Sequence, residues 1–267
     1  TAEQSTLAQL VVLIPLCLIR SVHKLEYPNL VADVLIMFGI AVVIWSNTGE
    51  VIGRGYAHDL APIVPASLGT MIGMTVFTFE GIPLMLPIRE SMEEPERFMP
   101  IFRVVFSAVV VLFVIFGVLG YADFGTACQP TVLNNLPNET TLTFCVKVFY
   151  CLALIFSTPL QFIPAARIVE FWTFGVTECG ARKWEKNCVR TLLFGVFALV
   201  ALFGGNAFEK FLALTGGLCC APVAFVYPAW FHLRLCAAGC CDKAVDLFYI
   251  ITGTATMAFV TVQTLMT

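Results

Sequence analysis

The chain has 267 residues, 59% of them hydrophobic and only 12% charged, with a mean hydropathy of +0.88 and a net charge of −3. A soluble domain carries about a quarter charged residues, so this composition describes an integral membrane protein and excludes a soluble enzyme. No block of basic residues is present, which excludes a nucleic-acid binder.

Uncharged apolar runs mark eight candidate spans of an all-α protein, most close to the 18–21 residues that cross a hydrocarbon core. In chain order they are Gln4 to Ile19 (with Pro15 inside), Val34 to Gly49 (entered through Asp33) and Leu60 to Phe79, continuing past Glu80 to Ile88. Val104 to Ala122, Val148 to Ala166, Thr191 to Phe208, Phe211 to Phe231 and Leu247 to Thr267 complete the set. The connections between them are too short to fold alone, so residues 1–267 read as one membrane domain. The chain opens with Thr1 almost inside a hydrophobic run, and we expect earlier spans to be missing from it.

Placing the loop after the first span in the cytoplasm and alternating puts Arg20, Lys24, Arg89, Arg97, Arg103, Arg167, Arg182, Lys183, Lys186, Arg190, Arg234 and Lys243 on that side. Only Arg54, Lys147 and Lys210 fall on the other, a division of 12 against 3. This is a strong positive-inside bias. The loop Gly125 to Thr141 is then lumenal or extracellular, and its Asn138-Glu139-Thr140 is an N-glycosylation acceptor by pattern. Cys236, Cys240 and Cys241 cluster beside a span end, where reversible palmitoylation occurs, whereas most other cysteines sit inside spans as small hydrophobes. No cysteine and histidine spacing forms a metal pattern, and no cofactor is expected.

The stretch Gly69 to Pro87 is long enough to cross the bilayer and carries one carboxylate, Glu80, near its middle, followed by Gly81 and Pro83. A charge in hydrocarbon is costly unless it faces a cavity or a partner. An interrupted helix releases backbone groups that must line protein or water. A charge and a break at membrane depth are together the local pattern of a transport site. Glu80 reads either as a proton acceptor or as a cap on the second half-helix, and the cap alone accounts for a glutamate beside a break. No intramembrane histidine, aspartate pair or nucleophile motif points to an enzyme; His23, His58 and His232 all lie at span ends.

Thr78-Phe79-Glu80-Gly81-Ile82, with Leu86-Pro87-Ile88-Arg89-Glu90-Ser91-Met92, Pro95 and Phe98, resembles the sixth span of the amino acid/auxin permease family. The likeness is to its proton-coupled amino acid transporter and fungal vacuolar exporter branches. Gly117 to Tyr121 with Phe124-Gly125 is similar to that family's seventh-span exit, and Ser157-Thr158-Pro159-Leu160-Gln161 through Glu170 to its eighth span. The resemblance implies a LeuT-type inverted-repeat bundle of eleven spans, of which this chain holds spans four to eleven and lacks one to three. It further implies proton-coupled transport of small neutral amino acids, with a vacuolar or lysosomal membrane favoured over the plasma membrane. An amino acid sensor that binds without net transport and a sodium-coupled symporter are the alternatives.

On this reading Thr75, Thr78, Phe79, Glu80 and Gly81 line the substrate site, Phe79 packing on the substrate's apolar part or gating it. Gly81 opens the backbone and Pro83 keeps the helix from re-forming. Glu80, Ser157 and Thr158 are the candidates for proton or cation coupling. Hydroxyls that bond their own helix are common, so a structural role for Ser157 and Thr158 stands beside the functional one.

Overall fold

A computed structural model of the chain describes residues 2–20, 25–61, 63–129, 131–136, 140–175, 182–236 and 239–266, and every regular element among them is helical. The helices are α1 (Ala2–Cys17), α2 (Glu26–Arg54), α3 (Leu68–Phe79), α4 (Ile82–Ser91), α5 (Phe98–Phe124), α6 (Thr141–Phe174) and α7 (Lys183–Gly204). They are followed by α8 (Phe208–Thr215), two π-helical turns, α9 (Tyr227–Leu235) and α10 (Cys240–Met266). Among the described residues, six helical segments are long and apolar enough to cross a membrane. The two other expected spans take different forms: α1 has 16 residues, and α3 with α4 is a broken pair. Asn138 lies outside the described residues.

Helices outrun the apolar runs that announce them. α2 begins at Glu26 and ends at Arg54, and α6 extends from Thr141 to Phe174, continuous through Pro159 and Pro164. Hydropathy marks only the hydrocarbon core, whereas helical hydrogen bonding carries on through polar flanks such as Asn29, Glu50, Arg167 and Glu170.

The chain divides into two compact units. One comprises residues 1–60 and 114–205, the other 61–113 and 206–267, so α5 contributes its two halves to different units. In the first unit, Cys17, Phe162, Ala166 and Phe194 form a buried cluster with Leu10, Leu13, Ile14 and Leu193 around it. The Phe162 and Phe194 rings meet edge to face at 5.5 Å. Beside this cluster Arg190, 2% exposed, donates from Nε to Glu170 Oε1 at 2.6 Å and from an η nitrogen to the Cys17 and Ile19 carbonyls. Cys17 ends α1 and Ile19 lies just past it, where the last carbonyls have no intrahelical partners. One guanidinium therefore neutralises a carboxylate on α6 and caps α1, which is how a buried charge becomes tolerable.

The connections of this unit are also pinned. Ala57 donates its N–H to the Ala122 carbonyl at 2.9 Å, and Asp59 accepts from both the backbone N–H and the hydroxyl of Thr126. Gly125 has φ +54°, and a Cβ there would lie 2.1 Å from Asp59 Oδ1, so only glycine fits. The Thr126 hydrogen bonds hold the Asp59 carboxyl below the usual aspartate range.

In the second unit small residues let backbones touch. A Cβ on Gly73 of α3 would lie 2.5 Å from the Ala213 carbonyl, and one on Gly216 would lie 1.9 Å from the Gly73 carbonyl. Val260 of α10, fully buried, fills the remaining space: Cβ atoms on Gly73 or Gly217 would each come within 2.7 Å of its Cγ1. Lipid offers no hydrophobic drive for helix association, so close contact of this kind is what holds membrane helices together. The π turns at Gly216–Cys220 and Pro222–Val226 follow from the same stretch. Pro222 has no N–H for the α-helical ladder, and a wider turn is the local adjustment.

Two outcomes follow from these contacts. Gly216→Ala lowers the thermal stability of the detergent-solubilised protein by about 1–3 kcal/mol through overpacking. Gly195→Ala, a helical glycine with open space around it, leaves stability unchanged or raises it. Because the Asp59 carboxyl is depressed, its clamp on Thr126 is complete above about pH 4 and is lost as pH falls through the lower folded value. Limited proteolysis of residues 55–61 across pH therefore shows the loop closed throughout the mildly acid range and open only below it. Asp59→Asn abolishes that dependence.

Candidate functional site

α3 ends at Phe79 and α4 begins at Ile82, so the third predicted span is interrupted at Glu80 and Gly81. Glu80 is extended, with φ −76° and ψ 126°, and Gly81 has φ −154° and ψ 9°. A stop at this place exposes the carbonyl end of one helix and the N–H end of another within two residues. The first carries partial negative charge and the second partial positive charge. Such a pair of ends complements a zwitterion, with its ammonium on the carbonyl side and its carboxylate on the N–H side.

Pro83 occupies the first turn of α4. Its missing N–H costs nothing there, so it is suited to start the second half-helix, and a proline four residues past Phe79 is also one that α3 cannot run through. Glu80 follows α3 directly. Its Oε1 is buried and accepts no hydrogen bond, and no side chain caps α4 at Gly81. Oε1 therefore does not cap α4.

Thr75 and Thr78 are exposed, and their hydroxyls donate to the Met71 and Met74 carbonyls at 2.8 Å. With its proton committed to its own helix, each oxygen is left as an acceptor. Phe79 meets Phe106 and Phe113 of α5 edge to face at 5.8 and 5.7 Å. These rings form one wall of the break. Ser157 and Thr158 belong to the other unit. Both donate to the Leu154 carbonyl, at 3.3 and 2.6 Å, the self-bonded arrangement that the sequence left open.

The framework behind the break includes residues that hydropathy did not flag. Gln263 of α10 donates through Nε2 to the Pro65 carbonyl and accepts from the Gly69 N–H at 2.7 Å. One amide thereby ties α10 to the start of α3. Gly216, whose Cβ would also lie 3.1 Å from the Phe77 nitrogen, holds the π turn against the last part of α3. The sequence carries glycines at 69, 73, 216 and 217 where these contacts form. A separate cavity of about 330 Å³ lies between α9 and α10, lined by Ala224, Phe225, Pro228, Ala229, His232, Asp246 and Tyr249. There the His232 Nδ1 is 2.8 Å from the buried Asp246 carboxylate. None of residues 75–81 lines this cavity, and His232 had been read only as a span-end residue.

The profile of the family described as transmembrane amino acid transporter protein matches residues 3–266. The chain is similar to vacuolar amino acid transporter 3 of Saccharomyces cerevisiae, 36% identical over 97% of this chain and 38% of the yeast protein. It is likewise similar to vacuolar amino acid transporter 3 of Schizosaccharomyces pombe, 35% identical over 96% of this chain and 39% of that protein. The proton-coupled amino acid transporter-like protein pathetic of Drosophila melanogaster is 26% identical over 84% of this chain and 48% of its own length. The chain thus spans under half the length of each of these relatives. No solved structure matches it.

If Gln263 holds the first half-helix in place, Gln263→Leu leaves the Gly69 N–H without its acceptor and lowers stability by about 1–3 kcal/mol. Faster amide exchange at Gly69 accompanies the loss. Gln161→Leu, on an exposed side chain of α6, shows neither effect.

Proposed function

The chain belongs to the transmembrane amino acid transporter protein family, and from that premise we propose that it forms part of a secondary active carrier for small neutral amino acids. The observation that carries the proposal is the break at Glu80 and Gly81, where two oppositely polarised helix ends meet a half-buried carboxyl whose buried Oε1 has no hydrogen-bond partner. The amino acid's ammonium lies toward the α3 carbonyls and the acceptor oxygens of Thr75 and Thr78. Its carboxylate lies on the first-turn N–H groups of α4, and Gly81 lets the backbone approach. Phe79, braced by Phe106 and Phe113, bounds the side-chain pocket. In this reading the chain supplies spans four to eleven of a LeuT-type inverted-repeat bundle.

Glu80 holds the coupling proton. A neutral carboxyl is compatible with hydrocarbon depth, whereas a carboxylate needs the substrate ammonium beside it, so protonation and substrate binding are linked at one residue. Ser157 and Thr158 serve the coupling only secondarily, because their protons are already used within α6. One proton crossing about 100 mV gains about 2.3 kcal/mol, and one pH unit adds about 1.4. Together they sustain a gradient of a few hundred-fold for one solute. The yeast relatives are named as vacuolar, which supports a vacuolar membrane, where proton symport runs from an acidic lumen toward the cytosol.

The test is radiolabelled amino acid flux in proteoliposomes containing the full-length protein, with a pH gradient imposed or absent. The wild type accumulates substrate in response to the gradient. Glu80→Gln loses at least about tenfold of that response, equivalent to about 1.4 kcal/mol, yet retains substrate exchange. Accumulation that follows sodium rather than protons makes the protein a sodium symporter. Substrate binding without flux makes it a sensor. Either result overturns the coupling assigned to Glu80.

A further inference from the structure

The hairpin that joins α9 to α10 carries chemistry that transport at the break does not use. Cys236 closes α9, and Cys240 and Cys241 open α10. All three thiols are exposed. Among the described residues no cluster of histidine, cysteine and acidic side chains is arranged to hold a metal ion, and these three cysteines form no disulfide.

Their surroundings place them at the edge of the bilayer. Trp230, Phe231 and Leu235 on the α9 side and Val245 and Phe248 on the α10 side are large, apolar and exposed. They form the surface that faces lipid tails in a membrane helix pair. Arg234 lies over the Trp230 ring at 5.0 Å, a tryptophan and a cation together at interfacial level. Lys243 sits within the first turn of α10, just beyond the thiols. The hairpin falls on the side that receives 12 of the 15 basic residues, which the positive-inside rule makes cytoplasmic.

We propose that Cys236, Cys240 and Cys241 are sites of reversible S-acylation by long-chain fatty acyl groups. The donor is a fatty acyl thioester of the coenzyme A class, available on the cytoplasmic face. In each transfer a bond forms between the cysteine Sγ and the acyl carbonyl carbon, and the donor's carbonyl–sulfur bond breaks. The cysteine's proton leaves with the departing thiol, so one thioester replaces another and no oxidant or reductant is needed. Exposure lets each sulfur reach the donor, and juxtamembrane position lets the attached chain enter the bilayer beside Leu235 and Phe248. Acylation then fixes the hairpin tip to the membrane surface.

The test is hydroxylamine-dependent exchange of thioesters for a maleimide-linked mass tag on the full-length protein, made in a eukaryotic host. The wild type shows one to three discrete mass steps that require hydroxylamine. Each of Cys236→Ser, Cys240→Ser and Cys241→Ser removes at most one step, the triple variant removes all, and Cys188→Ser removes none. The single variants keep the result interpretable should the triple variant fail to accumulate. Absence of any hydroxylamine-dependent step in the wild type overturns the proposal, as do steps that persist in the triple variant.

Discussion

A bilayer interior offers no water to an unpaired backbone group, and everything of interest in this chain follows from how that demand is met at one place. Helices satisfy it by themselves along most of the sequence. At Glu80 and Gly81 the ladder stops between α3 and α4, leaving donors and acceptors that protein, water or a ligand must answer. The surrounding packing keeps the interruption in a defined position. Gly73 and Gly216 bring α3 and the π-wound segment into backbone contact, Val260 closes the gap from α10, and Gln263 holds the first turn of α3. A gap framed by contacts this tight is set in advance of any ligand, which is the condition for binding without a large ordering cost.

Each unit holds buried polar groups that are answered, and Asn47 Oδ1 in the first, like Glu80 Oε1 in the second, has no hydrogen-bond partner. In the first, Arg190 and Glu170 neutralise each other, and the guanidinium also answers the end of α1. That arrangement is complete and leaves nothing to react. Asp59 and Thr126 do the same for a loop. In the second unit Glu80 is half-buried, with its buried Oε1 unanswered. The contrast separates a structural charge from one held ready for a partner, and it is the physical basis for assigning the proton to Glu80 rather than to any other carboxylate among the described residues.

Much of this was legible in the sequence, and the parts that were not have identifiable reasons. Apolar runs revealed the spans because hydrocarbon selects composition directly. The break was legible because glycine and proline beside a glutamate at mid-span are each expensive there. Proline both ends helices and begins them, and composition does not say which side of the stop Pro83 occupies. Capping by Glu80 Oε1 was a local guess that only coordinates could refuse. Gln263, Arg190 and the His232–Asp246 pair were missed for a different reason. Their partners are distant in sequence, from 14 residues for His232 to 198 for Gln263 and Pro65, and no periodicity encodes such meetings. Helix ends were set too short, since polar flanks remain helical beyond the hydrocarbon.

The central claim is that an amino acid is held at the break by the unpaired ends of α3 and α4. The most direct measurement is residue-resolved hydrogen exchange of the full-length protein in nanodiscs, with and without a saturating transported amino acid. The account predicts that the amides of Gly81, Ile82 and Leu84, the first-turn donors of α4, slow by at least about tenfold, a change of about 1.4 kcal/mol, when substrate binds. Unchanged exchange at these three amides, under conditions where binding is demonstrated by an independent signal, would contradict it.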